Sequence, residues 1–411
     1  MLTLIAFEFK KLFSSKAMWA TLALTLLLIG NGMKYPINSR INGAVQGMRD
    51  AVAPFEGKVL TDSVANQAQA LLLHYIEIHP DSFSQLDNQN SSDITLPVPI
   101  NSNEYAWGYW TILSHLAQGN TVEKKQANTQ LLQEHLDSGV FENGHKLTDA
   151  DRQSDLMQIE DNNHPVVIRY AAGWEELPFA LQGVLGMSLF ALLLIGLTAL
   201  FANEHSTRMD CVLLSTKHHR QAIGAKVAVS IIYAVVLCTL LLGASLASIA
   251  LTYGLDGGQY TIRELKDIYW NLTYGNPYNS MPVSAPYLPA FTLSILAAAA
   301  CAALIALASS LFRHPMAMLG AALAVIAVQF LPAIVSQNGI SITDSASISM
   351  IPTNMQMLSA SMPAYQLINL TNITTPIVNG APIWQFAVAP ALLGIAAAIT
   401  TPLVFCRRRK V

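Results

Sequence analysis

The sequence is poor in charge: 12% of its 411 residues are Asp, Glu, Lys or Arg, whereas 52% are hydrophobic. About 25% charged residues is usual for a soluble globular chain. The shortage is concentrated in long apolar stretches. Among them, residues 178–201, 227–253, 287–311, 316–335 and 384–405 contain no Asp, Glu, Lys, Arg or His. A soluble fold is therefore excluded, and the absence argues against a proton-coupled carrier, which needs ionisable groups within the bilayer.

Six apolar stretches approach the length of a transmembrane helix, which is about 20 residues. They are residues 17–33, 178–202, 227–253, 287–311, 316–335 and 384–405. The sequence therefore predicts an all-α polytopic membrane protein with six transmembrane helices. The connecting segments are residues 1–16, 34–177, 203–226, 254–286, 312–315, 336–383 and 406–411.

Positive charge is scarce between the first two stretches and common at the opposite edges. Residues 34–177 carry 19 acidic and 9 basic side chains, whereas 12 of the 23 Lys and Arg lie in the segments that face the other side. The positive-inside rule then places both termini in the cytoplasm and residues 34–177 outside it. The basic tail 406–411 is expected to bind anionic lipid headgroups, and neither charged patch indicates nucleic-acid binding.

Cysteine is equally scarce, with four in the chain and none in residues 34–177. An outer disulfide framework is therefore excluded, which favours a plasma (inner) membrane of a bacterium over a secreted eukaryotic setting. The first stretch follows basic residues as a signal peptide would, but its length and the lack of an A-x-A site predict a retained anchor.

Motifs of catalysis are also missing. No G-x-x-x-x-G-K-[ST] loop occurs, so the chain has no such site for nucleotide hydrolysis. Ser215 and His218 lack an orienting acid, so no catalytic residue is assigned. His74 and His79 lie about 140° apart on a helix, and no Cys or close His pair accompanies the six His of residues 34–177, so neither a metal nor a cofactor site is expected.

The long segment 34–177 is predicted to be a mostly helical extracytoplasmic domain. Helical patterns cover residues 63–79, 105–116, 122–136 and 150–160, the last capped by Thr148 and Asp149. Residues 1–16 predict an amphipathic helix on the inner leaflet, with Glu8 away from its apolar stripe, or else a cytoplasmic extension of the first span. Residues 336–383 are predicted to be an outer loop, with or without a short helix that dips into the membrane.

Small residues mark one face of the fourth stretch, where Ala298, Ala302, Ala306 and Ser310 repeat every four residues. Such faces allow close helix contact, either within one bundle or between subunits. Pro390 and Pro402 in the sixth stretch predict bends or breaks.

The cytoplasmic segment LFANEHSTRMDCVLLSTKHHRQAIGAKV resembles the corresponding loop of ABC-2 type (type V) ABC transporter permeases. Those permeases have an acidic residue, a Gly-Thr pair, two leucines with Ser/Thr-Pro, an arginine and then a lysine at the third span. The matching positions here are Glu204, Leu213, Leu214, Ser215, Thr216, Arg220 and Lys226. Arg208 and Met209 replace the Gly-Thr pair, and Lys217 replaces the proline.

The resemblance implies a role for this loop as the helix that couples the permease to a separate cytoplasmic ATPase, which would hold ATP and magnesium. Glu204, Arg208, Leu213, Leu214, Ser215, Thr216, Lys217 and Arg220 would form the coupling surface. A solvated basic loop is the alternative. The implied protein is a non-catalytic subunit, paired with a second permease copy or a paralogue, that exports an amphiphilic or peptide-like substrate such as an antimicrobial peptide or another toxic compound. The competing hypothesis is a membrane-anchored envelope sensor that binds a partner through residues 34–177.

Overall fold

A computed structural model describes most of the chain. The described residues are 2–13, 19–20, 23, 27, 43–83, 99, 103–118, 122–140, 146–147, 149–181, 188–197, 215, 218–265, 268, 280–312, 317, 320, 323–324, 362–368 and 384–407.

The described residues are mostly helical. The helices are α1 Leu2–Phe13, α2 Ala44–Val52, α3 Asp62–Ile78, α4 Glu104–Gln118, α5 Val122–Ser138, α6 Asp149–Asn162, α7 Ala172–Leu181, α8 Ser188–Leu197, α9 His219–Thr252, α10 Ile262–Leu265, α11 Tyr287–Leu311, α12 Pro363–Ile368 and α13 Trp384–Arg407. In the same residues extended pairing is limited to isolated bridges, such as that between Val59 and Val167. The predicted all-α class is thus confirmed for this part of the chain.

The chain divides into two compact units. Unit 1 comprises Met1–Gly32, Pro178–Leu246 and Pro286–Val411, and unit 2 comprises Met33–Leu177 and Ala247–Ala285. The two segments of unit 2 correspond closely to the predicted outer segments 34–177 and 254–286. Their location outside the cytoplasm stays a prediction.

Three helices are long and apolar enough to cross a membrane: α9, α11 and α13. Helix α11 has the bounds predicted for the fourth span, and α13 extends two residues beyond the predicted sixth span. Helix α9 begins at His219, eight residues before the predicted start of the third span. The second span is represented by the shorter apolar helix α8. The first and fifth predicted spans fall mainly outside the described residues.

Unit 1 is built around the contact between α11 and α13. The small residues of α11, among them Ala298, Ala302 and Ala306, are fully buried within this one chain. A side chain at Gly394 of α13 would approach the Cα and Cβ of Ala300 to 3.2 and 3.3 Å, so the two helices pack closely there. The small residues Ala298, Ala302 and Ala306 are thus buried inside the chain, which favours packing within one bundle, the first of the two alternatives left by the sequence.

Helix α13 contains Pro390 and Pro402 without a break in its helical course. A proline in a helix removes the hydrogen bond to the carbonyl four residues earlier, which for Pro390 is that of Phe386. The Nε2 atom of Gln366, on α12, donates to the Phe386 carbonyl at 2.8 Å. The short helix α12 thus supplies the donor that Pro390 cannot, and it packs against α11 in unit 1.

In unit 2 the predicted helical patterns correspond to α3, α4, α5 and α6, with ends that shift by one or two residues. Helix α3 starts one residue earlier than predicted because Thr61 caps it: the Val64 backbone N–H donates to the Thr61 hydroxyl. Thr148, predicted as a cap of α6, lies outside the described residues. Helices α2 and α7 were not predicted.

Helices α2 and α4 make a close backbone contact in the core of unit 2. A Cβ atom at Gly47 would lie 2.3 Å from the Tyr105 carbonyl oxygen, and one at Gly108 would lie 2.0 Å from that of Ala44. Only glycine leaves room for such an approach at either position.

The second segment of unit 2 is fastened to the first by hydrogen bonds to its backbone. The Tyr253 carbonyl accepts from the Tyr170 hydroxyl at 3.0 Å and from the Arg49 guanidinium at 3.1 Å. The Trp174 indole donates to the Leu255 carbonyl at 3.2 Å. Residues 254–286 are therefore part of a folded unit, at least where the structure describes them.

Candidate motor-coupling site

The residues predicted to couple the chain to an ATPase lie mainly outside the described residues. Glu204, Arg208, Leu213, Leu214, Thr216 and Lys217 belong to this group. Ser215 and Arg220 are described, and both side chains are exposed. Their coupling role stays a prediction.

Arg220 lies in the first turn of α9, immediately after His219, and this turn contains no acidic residue. Basic side chains at a helix N-terminus oppose the helix dipole, at a cost of about 0.3 to 1 kcal/mol each when charged. His218, Arg220 and Gln221 are exposed. The arrangement weakens the helix end slightly and offers a positive surface to whatever lies against it.

The side chains of α9 change from exposed to buried within two turns of its N-terminus. Ile223, Ala225 and Lys226 are fully buried, in contrast to the exposed Arg220 six residues earlier. Six helical residues span about 9 Å. The helix therefore passes from an exposed basic surface into a closed interior over a short distance.

Lys226 pairs with Glu8 of α1. Its Nζ atom lies 2.8 Å from the Glu8 Oε2 atom, and the two side chains are 0% and 11% exposed. Removing two charges from water costs several kcal/mol per ion, so a buried pair persists only with good geometry. Loss of one partner from such a pair costs about 3 to 5 kcal/mol, because the other charge is left unpaired.

The contact also decides which face of α1 is buried. Leu4, Ile5 and Glu8 lie on the covered side, whereas Phe7 is 63% exposed. The sequence places Glu8 away from the apolar stripe of residues 1–16. The structure shows that Glu8 is buried all the same, because it pairs with Lys226.

Sequence analysis identified Lys226 but missed its partner. The available signal was that Lys226 directly precedes a span free of charge, where an ammonium group needs a nearby carboxylate. Glu8 is the sole acidic residue of residues 1–16. These two features together indicate the pair, although the sequence spacing of the two residues does not show which helix supplies the carboxylate.

The structure gives no sign of a metal site in the part of the chain it describes. No group of three or more His, Cys, Asp or Glu side chains there is arranged to hold an ion. His74 lies 3.9 Å from Glu77 at an exposed position of α3.

Comparison with known proteins gives one result. A family described as ABC-2 family transporter protein matches residues 42–405. No curated protein and no solved structure matches the chain. The family match includes the predicted loop 203–226 and all of the long apolar helices α9, α11 and α13 except the last two residues of α13.

Proposed function

The chain belongs to the ABC-2 transporter family, whose members are the membrane subunits of ABC transporters and associate with an ABC ATPase, and from this premise we propose that it is the permease of an exporter. The energy comes from hydrolysis of ATP, which the partner ATPase binds together with magnesium. The chain itself contains no phosphate-binding loop of the G-x-x-x-x-G-K-[ST] type.

The observation that carries the coupling proposal is the buried pair between Glu8 and Lys226. It joins α1 to the beginning of α9, next to the loop 203–226. A force applied to that loop by a nucleotide-driven subunit would be transmitted to α9 and, through a rigid polar contact, to α1. A buried ion pair suits this task because it has one favoured geometry and resists sliding.

The proposed contact surface on the ATPase side consists of the eight residues Glu204, Arg208, Leu213, Leu214, Ser215, Thr216, Lys217 and Arg220. Apolar side chains at positions 213 and 214 suit burial in a groove, and basic groups around them suit acidic residues at its rim. The exposure of Ser215 and Arg220 agrees with such a role.

The proposed cargo is an amphiphilic or peptide-like compound, which includes antimicrobial peptides. The long apolar helices have no Asp, Glu, Lys, Arg or His between Val227 and Tyr253, in α11, or from Trp384 to Phe405. A path lined by such helices favours cargo that already prefers an apolar environment. We place the protein in the inner membrane of a bacterium, with a second copy or a paralogue as its permease partner and with lipid headgroups around its basic tail.

The test is purification with the ATPase encoded nearest to the chain. We expect Glu204→Ala combined with Arg220→Ala to reduce both copurification and ATP turnover of the complex. Gln221→Ala, at an exposed neighbouring position of α9, is the matched control and should leave both unchanged. Unchanged copurification and turnover in the double variant would refute the coupling assignment.

A second outcome concerns the function itself. If no ATPase copurifies with the wild-type chain under mild detergent, the exporter proposal fails. The envelope sensor that binds through residues 34–177 would then be the better hypothesis.

A further inference from the structure

Two helices of unit 2 bring three tyrosine rings to one surface, and a third helix adds a carboxylate beside them. Tyr75 of α3 and Tyr105 and Tyr109 of α4 have ring centroids 4.7, 6.0 and 6.3 Å apart, and the planes of Tyr105 and Tyr109 differ by only 13°. All three side chains are partly exposed, as is Asp50 of α2 beside them. We call these four residues the tyrosine face.

Asp50 is held in this face by neutral donors. Its Oδ2 atom accepts from the Tyr105 hydroxyl at 2.9 Å, and its Oδ1 atom accepts from the Gln46 amide at 2.8 Å. Among the residues that the structure describes, no Lys or Arg pairs with this carboxylate. Its negative charge is therefore oriented and accessible, without a basic side chain of the described chain to balance it.

Other aromatic rings of unit 2 already have a cation from the protein. Arg49 lies over the Tyr170 ring at 4.7 Å, Lys58 over Phe55 at 5.6 Å, and Arg169 over Tyr260 at 5.0 Å. These pairs show how this unit combines ring faces with positive charge. The tyrosine face has three rings and a carboxylate but, in the described residues, no Lys or Arg over its rings. Tyr75 also contacts the rings of His79 and Phe83, at centroid distances of 4.7 and 6.0 Å.

We propose that the tyrosine face binds an organic cation, such as a quaternary ammonium or guanidinium group attached to an apolar body. The negative faces of the rings attract the cation, and Asp50 supplies a full opposite charge at the edge of the rings. The flat ring surfaces provide apolar area for the body of the ligand. Ca²⁺ and Mg²⁺ are disfavoured because they bind through six or more oxygen ligands and the face offers one carboxylate.

The protonation states of the phenols agree with this arrangement. Burial and the hydrogen bond to Asp50 raise the pKa of Tyr105 well above its usual value, and burial raises the pKa of Tyr75 and Tyr109. The three phenols therefore stay neutral over the whole physiological range. Tyr105 then keeps its proton for Asp50, which remains the single charge of the face.

The proposal is tested by binding measurements on the full chain in a nonionic polyoxyethylene detergent, which supplies neither a charge nor a quaternary ammonium group. The probe is benzyltrimethylammonium, and its binding is measured by isothermal titration calorimetry. Benzyl alcohol is its neutral counterpart. We expect saturable binding of the cation and none of the alcohol.

Two variants remove the two parts of the site. Asp50→Asn keeps the size of the side chain but loses the charge, and Tyr109→Leu loses a ring face. Each is expected to weaken binding of the cation by about fivefold or more, the effect of losing one ionic or cation–π contact at a partly exposed site.

A further variant is the matched control. Glu77→Gln removes an exposed carboxylate elsewhere on α3. It should bind the cation within about twofold of the wild type, because it changes neither a ring face nor Asp50. Thermal unfolding of every variant shows whether the fold is retained, and Asp50→Asn tests the site even if Tyr109→Leu fails to fold.

The proposal is overturned if the wild type shows no saturable binding, if Asp50→Asn binds as the wild type does, or if benzyl alcohol binds equally well. Saturable binding of a neutral oligosaccharide in place of the cation would likewise overturn it and assign the face to sugars. The measurement uses no ATPase, so its failure would leave the coupling proposal intact, and failure of the coupling proposal would not affect it.

Discussion

At the scale of single residues, the buried pair between Glu8 and Lys226 is the most informative contact of unit 1. Lys226 is fully buried, which is rare for lysine unless a partner neutralises it. The pair adds little net stability compared with well-packed apolar residues, since desolvation offsets the attraction. Its value lies in geometry, because it ties α1 to a defined position on α9.

We therefore expect Lys226→Met to destabilise the chain by about 3 to 5 kcal/mol, because Glu8 is left buried without its partner. Adding Glu8→Leu should recover most of this loss, since no charge then remains in the interior. Thermal unfolding in detergent measures both effects. Lys10→Met, at an exposed position of α1, is the control and should unfold at the wild-type temperature.

The same variants separate stability from coupling. The double variant should fold but transmit less of the motor's movement, so its transport should fall more than its unfolding temperature. Equal stability of Lys226→Met and the wild type would mean that the pair is not buried as described.

At the scale of secondary-structure elements, periodicity and apolar length were good guides. They predicted α3 to α6 to within two residues and the bounds of α11 in full. They missed α2, whose core contact depends on Gly47 and Gly108, because close backbone approach between distant segments leaves no local pattern. They also predicted possible breaks at Pro390 and Pro402, whereas α13 continues through both.

The reason for continuity at Pro390 is a partner distant in sequence. The Gln366 side chain satisfies the Phe386 carbonyl, and no periodicity could have indicated it. Prediction of the coupling site is limited in the same way. The sequence identified Lys226, but its partner Glu8 lies 218 residues away. The remaining site residues, from Glu204 to Lys217, were assigned by resemblance and await a test.

The hydrogen bond from Gln366 can be tested by a double-mutant cycle. Gln366→Leu should cost about 1 to 3 kcal/mol, because the buried Phe386 carbonyl loses its donor. Pro390→Ala restores a backbone N–H to that carbonyl, so it should reduce the cost of Gln366→Leu in the double variant.

The control for this cycle is Pro402→Ala, which restores a hydrogen bond further along α13 and should not rescue Gln366→Leu. Unfolding temperatures in detergent are measured for the wild type, the three single variants and the two double variants. Equal rescue by the two proline variants would show that general stiffening of α13, and not the Phe386 carbonyl, is responsible.

At the scale of the whole molecule, the charge map and the division into two units agree with each other. The acidic segment 34–177 lies in unit 2 together with residues 247–285, whereas the basic termini and the loop 203–226 belong to unit 1. The positive-inside rule assigns the sides from charge, and in the topology that it predicts unit 2 lies outside the cytoplasm.

This topology predicts which positions a membrane-impermeant maleimide can reach in intact cells. Cys238 and Cys301 are buried and should not react with the maleimide. A chain in which Cys211 and Cys406 are replaced by alanine should therefore show little labelling of its own. Glu77→Cys and Gln259→Cys, at exposed positions in the two segments of unit 2, should then be labelled in intact cells. Lys10→Cys, exposed on α1, should be labelled only after the membrane is permeabilised, since the basic residues around it favour the cytoplasmic side. Labelling at position 77 without labelling at position 259 would contradict a common outer unit, and labelling at position 10 in intact cells would reverse the orientation.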